Sequence, residues 1–343
     1  MQLPVERGDI SGAIIDALAG RIPLDAERLG ALVTGLPDDV DAITDEDLHL
    51  ALWVMYELHY RGFAEVADGW EWNPDLLRVR HDLEAVFEAA LRRRTADTVA
   101  NAADAEGDVA TRLFDLTESF EGPSVARFIQ REATLEQFCE FMVHRSIYHL
   151  KESDPSSLVI PRISGKPKAA LVELLYDEYG AGRPERLHAT MFGDALEACG
   201  LDREYGAYID QVPGYTLASN NAMSMLGLHR RFRAAAMGHL GAFEATSSLP
   251  CRRFAGGIRR LGLPEQAAEY FDEHIEADAV HEQLALRDIC SELVVQDPEL
   301  LDDVFFGATV CLSLDTVVGE QMLDAWQRGE TSLRLSRPEA VAS

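Results

Sequence analysis

One stretch of the sequence, residues 264–281, reads PEQAAEYFDEHIEADAVH. Proline in the first turn, followed by uninterrupted helix formers, predicts an α-helix that begins near Pro264. At about 100° per residue, Asp278 lies roughly 40° to one side of His274, and His281 lies roughly 20° to the other side. The three side chains therefore share one face, and apolar residues near the same stripe direct that face towards the core.

A carboxylate between two histidines on a buried face indicates a metal site. Burying an unpaired carboxylate costs on the order of several kcal/mol, and a metal ion is its natural partner when two imidazoles lie beside it. A lone histidine on an apolar face is more often an ordinary core residue. One helix cannot complete a metal site, so further ligands must come from other helices, and the candidates are Glu152, Glu178 and His188.

The order and spacing of these candidates resemble the haem-oxygenase-like diiron oxidases, which include the iron-containing redox enzymes. The resemblance covers about residues 125–330, and the motif His274-x3-Asp278-x2-His281 is its most specific part. The iron ligands that the resemblance implies are Glu152, Glu178, His188, His274, Asp278 and His281. It indicates no catalytic residue beyond these ligands.

Two neighbouring residues leave alternatives open. Other members of this fold place the second carboxylate closer to the histidine, which makes Glu185, three residues before His188, a rival to Glu178. His149 lies three residues before Glu152, and we expect it to hydrogen-bond to that carboxylate rather than to bind metal.

The residue types suit oxygen chemistry. Two Fe(II) ions per chain would need neutral imidazoles and carboxylate oxygens, with open positions where dioxygen as co-substrate binds. The resemblance implies an O2-dependent oxidoreductase acting on a small amine or amino acid, with N-oxygenation first. Oxidative C–C cleavage or desaturation of an amino acid or fatty acid is the alternative within this class, and an external electron donor is a further expected partner.

A different class of function is a non-catalytic iron or tetrapyrrole-binding protein on the same scaffold. A haem protein needs one axial histidine and no carboxylates around it, so the stripe that contains Asp278 favours the diiron enzyme.

Helical periodicity extends over most of the chain, whereas strand signals are scarce. Besides the helix over 264–295, we predict helices near residues 48–58, 74–94, 134–152, 167–179, 184–199, 220–246 and 299–328. The stretch 95–123 is rich in Ala, Asp and Gly and predicts a domain boundary. We therefore predict an all-α protein with an N-terminal helical extension (1–122), a haem-oxygenase-like bundle carrying the irons (123–330) and a tail (331–343). The resemblance implies that the extension supports a homodimer.

Composition restricts the other partners. A formal net charge of −28 repels nucleic acid and anionic membranes, and no apolar run reaches the length of a membrane span. The five cysteines are widely spaced and form no C-x-x-C pair, so we expect no disulfide framework and a reducing, cytoplasmic location. The arginines between Arg230 and Arg260 are expected to be solvated or paired with acids. The alternative is that one of them binds a substrate carboxylate through two hydrogen bonds, because guanidinium fits that shape.

Overall fold

The computed structural model describes residues 1–36 and 41–334, except for the side chains of residues 276–279. Every regular element within these residues is helical, which confirms the all-α prediction. The α-helices are α1 (Asp9–Leu18), α2 (Ala26–Thr34), α3 (Glu46–Glu57), α4 (Pro74–Asp104), α5 (Val109–Ser119), α6 (Val125–Arg131), α7 (Leu135–His149), α8 (Asp154–Ser157), α9 (Gly165–Glu178), α10 (His188–Ala198), α11 (Gly214–Leu228), α12 (Arg233–Leu261), α13 (Gln266–Gln283), α14 (Glu292–Gln296) and α15 (Leu301–Gln327). A π-helical stretch, Leu284–Ser291, joins α13 to α14.

Helix α3 is the central helix of the N-terminal region. Its residues from Leu48 to Glu57 are all buried. Asp45 caps the helix, because its carboxylate accepts a hydrogen bond of 2.7 Å from the backbone N–H of Leu48.

The segment that we interpreted as a domain boundary is largely helical. Asn73 caps α4 and proline occupies its first turn, and the helix then continues ten residues beyond the predicted end at Arg94. Alanine is the best helix former, so the alanines of 95–104 extend α4 rather than interrupt it. One apolar core combines residues from both sides of residue 122, including Leu50 and Phe87 before it and Leu217 and Val304 after it. The division at residue 122 stays a prediction.

The single helix predicted over 220–246 is wrong. The backbone leaves the helical region at His229 (φ −96°, ψ 122°), and a short 3-10 turn leads into α12. Apolar residues lie on both sides of the break, so the periodicity of the sequence does not reveal it. Further along, α12 includes Pro250 and continues to Gly262, whose left-handed backbone (φ 72°) ends it.

Helices α7, α10, α12 and α13 pack around a second apolar core, which includes Phe138, Phe192, Phe254 and Phe271. This core fixes the helices that carry the polar side chains described below. Among the described residues, no helix is both long and apolar enough to cross a membrane.

Candidate metal centre

Four buried side chains of the bundle form a first group of metal-ligand type. Each of Glu152, Glu178, His188 and His274 offers one oxygen or nitrogen atom, and these atoms lie within 4.8 Å of one another. All four are 5% exposed or less. They come from the turn after α7, the end of α9, the start of α10 and the middle of α13, so the group exists only when four separate segments are folded together.

Glycine-rich backbone brings Glu178 and His188 together. The chain turns after Glu178 through left-handed residues, among them Gly180 (φ 70°) and Gly182 (φ 79°). A Cβ at Gly180 would lie 2.5 Å from the carbonyl carbon of Arg186, so glycine is required for this close return. As a result, Nδ1 of His188 lies 2.9 Å from Oε2 of Glu178.

Tyr270 and the helix backbone fix the orientation of two of the candidate ligands. The Tyr270 hydroxyl donates to both oxygens of Glu152, at 2.9 and 2.7 Å. One turn later, Nδ1–H of His274 donates to the Tyr270 carbonyl at 2.7 Å. That bond assigns the proton of the neutral ring to Nδ1, so the lone pair of His274 is on Nε2, which lies 3.9 Å from Glu152.

A second group shares one carboxylate with the first. Glu178, Glu244 and His281 are all buried, and their donor atoms also lie within 4.8 Å of one another. Nδ1 of His281 lies 3.3 Å from Glu178 and 3.4 Å from Glu244. Glu178 therefore stands between two sets of donors, as a bridging carboxylate of a two-metal site would.

Charge is strongly coupled in this cluster. Burial and the neighbouring His188 ring lower the pKa of His274 to about 4, so this imidazole is neutral at physiological pH. Burial would lower the pKa of His281 as well, but the carboxylates of Glu178 and Glu244 outweigh it and raise that pKa to about 11. Burial raises the pKa of Glu244, whereas the imidazoles around Glu178 overcome its burial and hold its pKa well below the ordinary range.

The hydrogen bonding of the buried histidines indicates that these donor atoms suit a metal ion. Nδ1 of His188, Nε2 of His274 and both ring nitrogens of His281 are buried without a hydrogen bond of good geometry in the described structure. Buried polar atoms are almost always satisfied, so imidazole nitrogens that lie near carboxylates without a well-aligned hydrogen bond are suited to a metal ion as their partner. Imidazole nitrogen and carboxylate oxygen are together the donor set of non-haem iron.

The structure brings together five of the six residues expected from the sequence, namely Glu152, Glu178, His188, His274 and His281. The sixth, Asp278, lies outside the residues whose side chains are described. The rival carboxylate Glu185 is exposed in the 3-10 turn Pro184–Arg186, whereas Glu178 belongs to both groups. Nδ1 of His149 lies 3.1 Å from the carbonyl of Arg145, a backbone contact that we did not expect.

Sequence reasoning missed Glu244. It lies on α12 within the run GHLGAFEA, residues 238–245. No ligand-type residue lies three or four positions away, and His239 is five positions before it. A single acid in a run of small and apolar residues was the available signal, because burying it requires a partner.

A cavity of about 260 Å³ adjoins the first group. Glu152 and Glu178 line it, and so do Arg61 from the turn after α3 and Tyr205 from the loop after α10. Tyr270, His149 and Phe243 line part of a separate cavity of about 280 Å³.

Comparison with known proteins agrees with this geometry. The profile of a haem-oxygenase-like family described as iron-containing redox enzymes matches residues 139–316, just over half of the chain. The chain belongs to this family. It is therefore an oxidoreductase, and the matched region includes every residue of the two donor groups.

Two individual proteins are similar to the chain. The nitrosourea synthase of Streptomyces achromogenes subsp. streptozoticus is 28% identical over 145 residues, which are 42% of this chain and 31% of that enzyme. The chain thus matches less than a third of the length of that relative. A solved structure of a CADD-like protein of unknown function from Nostoc punctiforme has a TM-score of 0.47 at 16% identity, covering 70% of this chain and 98% of that one.

Proposed function

We propose that the chain is an O2-dependent diiron oxidoreductase that oxidises a small amine or amino acid, with N-oxygenation as the reaction. The observation that carries the proposal is the pair of buried donor groups that share Glu178. Two metal ions that share one carboxylate are suited to activating dioxygen. A single metal ion in a purely structural role would not need this arrangement.

The ligands divide between the two ions. One iron would be held by Glu152, Glu178, His188 and His274. The other would be held by Glu178, Glu244 and His281, and the helical spacing from His274 makes Asp278 a further ligand on this proposal. Four carboxylates would balance the four positive charges of two Fe(II) ions, whereas three would leave one positive charge, since neutral imidazoles contribute none.

The neighbouring residues hold this arrangement. Iron(II), when bound, supplies the electrons that reduce dioxygen. Tyr270 fixes Glu152 by two hydrogen bonds, and burial together with Glu152 raises the pKa of Tyr270 well above its ordinary value, so that its proton stays in place. Ser153, in a left-handed conformation (φ 70°), places its hydroxyl 3.3 Å from Glu178.

The name of the relative from Streptomyces supports N-oxygenation, since a nitrosourea contains an oxidised nitrogen. Oxidative C–C cleavage or desaturation of an amino acid or fatty acid is the alternative outcome on the same site. We further propose an external electron donor, a homodimer supported by residues 1–122, and a cytoplasmic location.

The test is anaerobic loading with Fe(II), followed by exposure to oxygen with a panel of amino acids and amines. Iron per chain, oxygen uptake and product masses are measured together. Two irons per chain, substrate-stimulated oxygen uptake and a product that has gained oxygen on nitrogen support the proposal. A product that has lost carbon dioxide would indicate oxidative C–C cleavage instead of N-oxygenation, and a product that has lost two hydrogens would indicate desaturation. A Soret band in the purified protein, or iron without oxygen uptake for any substrate, would overturn the diiron oxygenase.

A further inference from the structure

The cavity beside Glu152 and Glu178 is completed by the N-terminal region. Arg61 lines it together with these two carboxylates, although it lies about ninety residues earlier in the chain. Residues 1–122 therefore contribute a cationic side chain to the cavity in which, on the proposed function, the substrate approaches the irons.

The turn after α3 holds Arg61 in place. The backbone N–H groups of Tyr60 and Gly62 both bond to the carbonyl of Glu57, at 3.1 and 2.9 Å, and Gly62 is left-handed (φ 62°). Nη2 of Arg61 donates to the carbonyl of Leu150 at 2.8 Å. Because Leu150 is two residues before Glu152, this bond ties the guanidinium to the turn that presents a candidate iron ligand.

An aromatic ring supports the same guanidinium. The central carbon of Arg61 lies 4.8 Å from the ring centre of Tyr205, within the range of a cation–π contact. The backbone bond and the ring restrict the side chain from two directions although it is exposed at the mouth of the cavity. A partly ordered guanidinium loses less entropy when it binds an anion.

The other cations of the cavity already have partners. The ammonium group of Lys151 pairs with the buried carboxylate of Glu57. Arg203 pairs with Asp194 at 2.8 Å and with Glu197 at 3.2 Å. In contrast, Arg61 makes no close ion pair among the described residues. Burial raises the pKa of Asp154, a carboxylate of the same cavity, and the charge of Arg61 acts on that group in the opposite direction.

We propose that Arg61 binds the carboxylate of an amino-acid substrate, so that the enzyme acts on amino acids rather than on simple amines. This inference rests on the proposed function for the location of the reacting centre. A planar guanidinium with one N–H group engaged keeps enough donors to bind a carboxylate through two parallel hydrogen bonds. The cavity is also lined by Asp154 and Glu204, and Arg61 is the arginine there whose guanidinium is not held in a close ion pair within the described part of the chain, so it keeps N–H groups for an incoming carboxylate.

Two of the arginines that the sequence offered for this role form ion pairs elsewhere. Arg231 pairs with Glu88 at 2.6 Å, and Arg259 pairs with Asp272 at 2.5 Å. Neither of these two arginines lines the cavity beside Glu152.

The experiment compares binding of the twenty common L-amino acids with binding of the amines that lack their carboxylate, using the Fe(II)-loaded protein under anaerobic conditions. Lysine with cadaverine is one such matched pair, and norleucine with pentylamine is added as another. Affinities are measured by calorimetry for wild type, Arg61→Gln and Arg61→Lys. Arg21→Gln is the control, because Arg21 is exposed and paired with Asp16 on the surface of the N-terminal region.

We expect at least one amino acid to bind about 10- to 100-fold more tightly than its amine, and Arg61→Gln to remove most of that preference. Arg61→Lys should retain part of it, since a point charge replaces the bidentate fork. In turnover, Arg61→Gln should raise KM while kcat and iron content stay near wild type. Circular dichroism checks that each variant is folded.

An unchanged preference in both Arg61 variants would overturn the assignment, as would equal affinity of wild type for amino acids and amines, or no binding of any amino acid. The readouts separate the two proposals. Binding that depends on Arg61 without oxygen uptake would support carboxylate binding by Arg61 and contradict the oxygenase function. Oxygen uptake that does not depend on Arg61 would support the oxygenase function and contradict the role of Arg61.

Discussion

Glu178 occupies an unusual position for a carboxylate. It is the last residue of α9, where the helix dipole disfavours negative charge, and it is buried as well. Both effects are unfavourable without cations, yet His188 and His281 lie within 3.3 Å of its oxygens. The negative charge of Glu178 is therefore energetically unfavourable in this position unless a metal ion is bound beside it. Glu185, on the surface, has no such cost.

The first prediction contrasts these two glutamates. Glu178→Ala should lower the iron content of the purified protein to less than half of wild type, because both donor groups lose the shared oxygen donor. Glu185→Ala should retain wild-type iron, since Glu185 is exposed outside both groups. Iron is measured by plasma mass spectrometry after anaerobic loading. Low iron in Glu185→Ala together with wild-type iron in Glu178→Ala would identify Glu185 as the ligand instead.

The second prediction concerns Glu244, whose oxygen lies 3.4 Å from His281. Glu244→Gln keeps the shape of the side chain but replaces a charged oxygen donor, so the second iron should bind at least about tenfold more weakly while the first is retained. Glu269→Gln, an exposed change on α13, is the matched control. Iron titration of both variants checks this, and two equally tight irons in Glu244→Gln would exclude the residue as a ligand.

At the scale of helices, the features that could be predicted from the sequence are those that depend on residue spacing within one helix. The stripe with His274 and His281 on one face was readable because helical geometry fixes spacing, and both side chains are buried as expected. The approach of Glu152 and His188 to this stripe came from family resemblance, since nothing local places distant helices together. Glu244 carried neither kind of signal, because its partners are on α9 and α13.

Helices α12 and α15 show how much of the fold depends on close approach. A Cβ on Gly307 would lie 1.8 Å from the carbonyl oxygen of Ala235, and a Cβ on Gly238 would lie 1.9 Å from that of Val304. Only glycine permits this crossing. Glu244 is less than two turns along α12 from Gly238, so the crossing also sets the position of a candidate ligand.

The third prediction tests the crossing. Gly307→Ala should destabilise the protein by about 2 kcal/mol or more, because the helices must separate to admit the methyl group. Gly12→Ala is the control within a helix, where the nearest atom to the new Cβ is Glu6 Cβ at 3.5 Å, and it should be neutral or stabilise by up to about 1 kcal/mol. Urea unfolding followed by circular dichroism measures both. Equal effects of the two changes would show that the crossing is not tight in solution.

For the whole molecule, buried histidines outside the candidate metal centre link stability to pH. Burial lowers the pKa of His49 to about 4, that of His144 to about 3 and that of His239 to about 4. Each of these rings is neutral in the folded protein at pH 7 and gains a proton more readily once the chain unfolds. Acid therefore favours the unfolded chain, in addition to its effect on carboxylates.

His49 allows this effect to be isolated. Its Nε2 lies 2.9 Å from the carbonyl of Ala42, and its Nδ1 lies 3.1 Å from the amide nitrogen of Asn221. The neutral ring donates from Nε2 and accepts at Nδ1. A second proton, on Nδ1, would face the N–H groups of Asn221, so the folded core disfavours the charged ring.

The fourth prediction follows from the sign of that shift. The unfolded chain binds a proton at His49 below about pH 6.5, whereas the folded protein does so only near pH 4, so stability falls as pH decreases through this window. His49→Gln keeps a donor for Ala42 but cannot titrate, so its loss of stability between about pH 7 and about pH 4.5 should be smaller than that of wild type by about 2 kcal/mol. His81→Gln, a change at an exposed histidine, should follow wild type. Urea unfolding of all three proteins at both pH values, with chelator present so that iron does not contribute, gives the comparison. Equal pH dependence in wild type and His49→Gln would mean that the ring titrates normally and that this part of the core admits a charge.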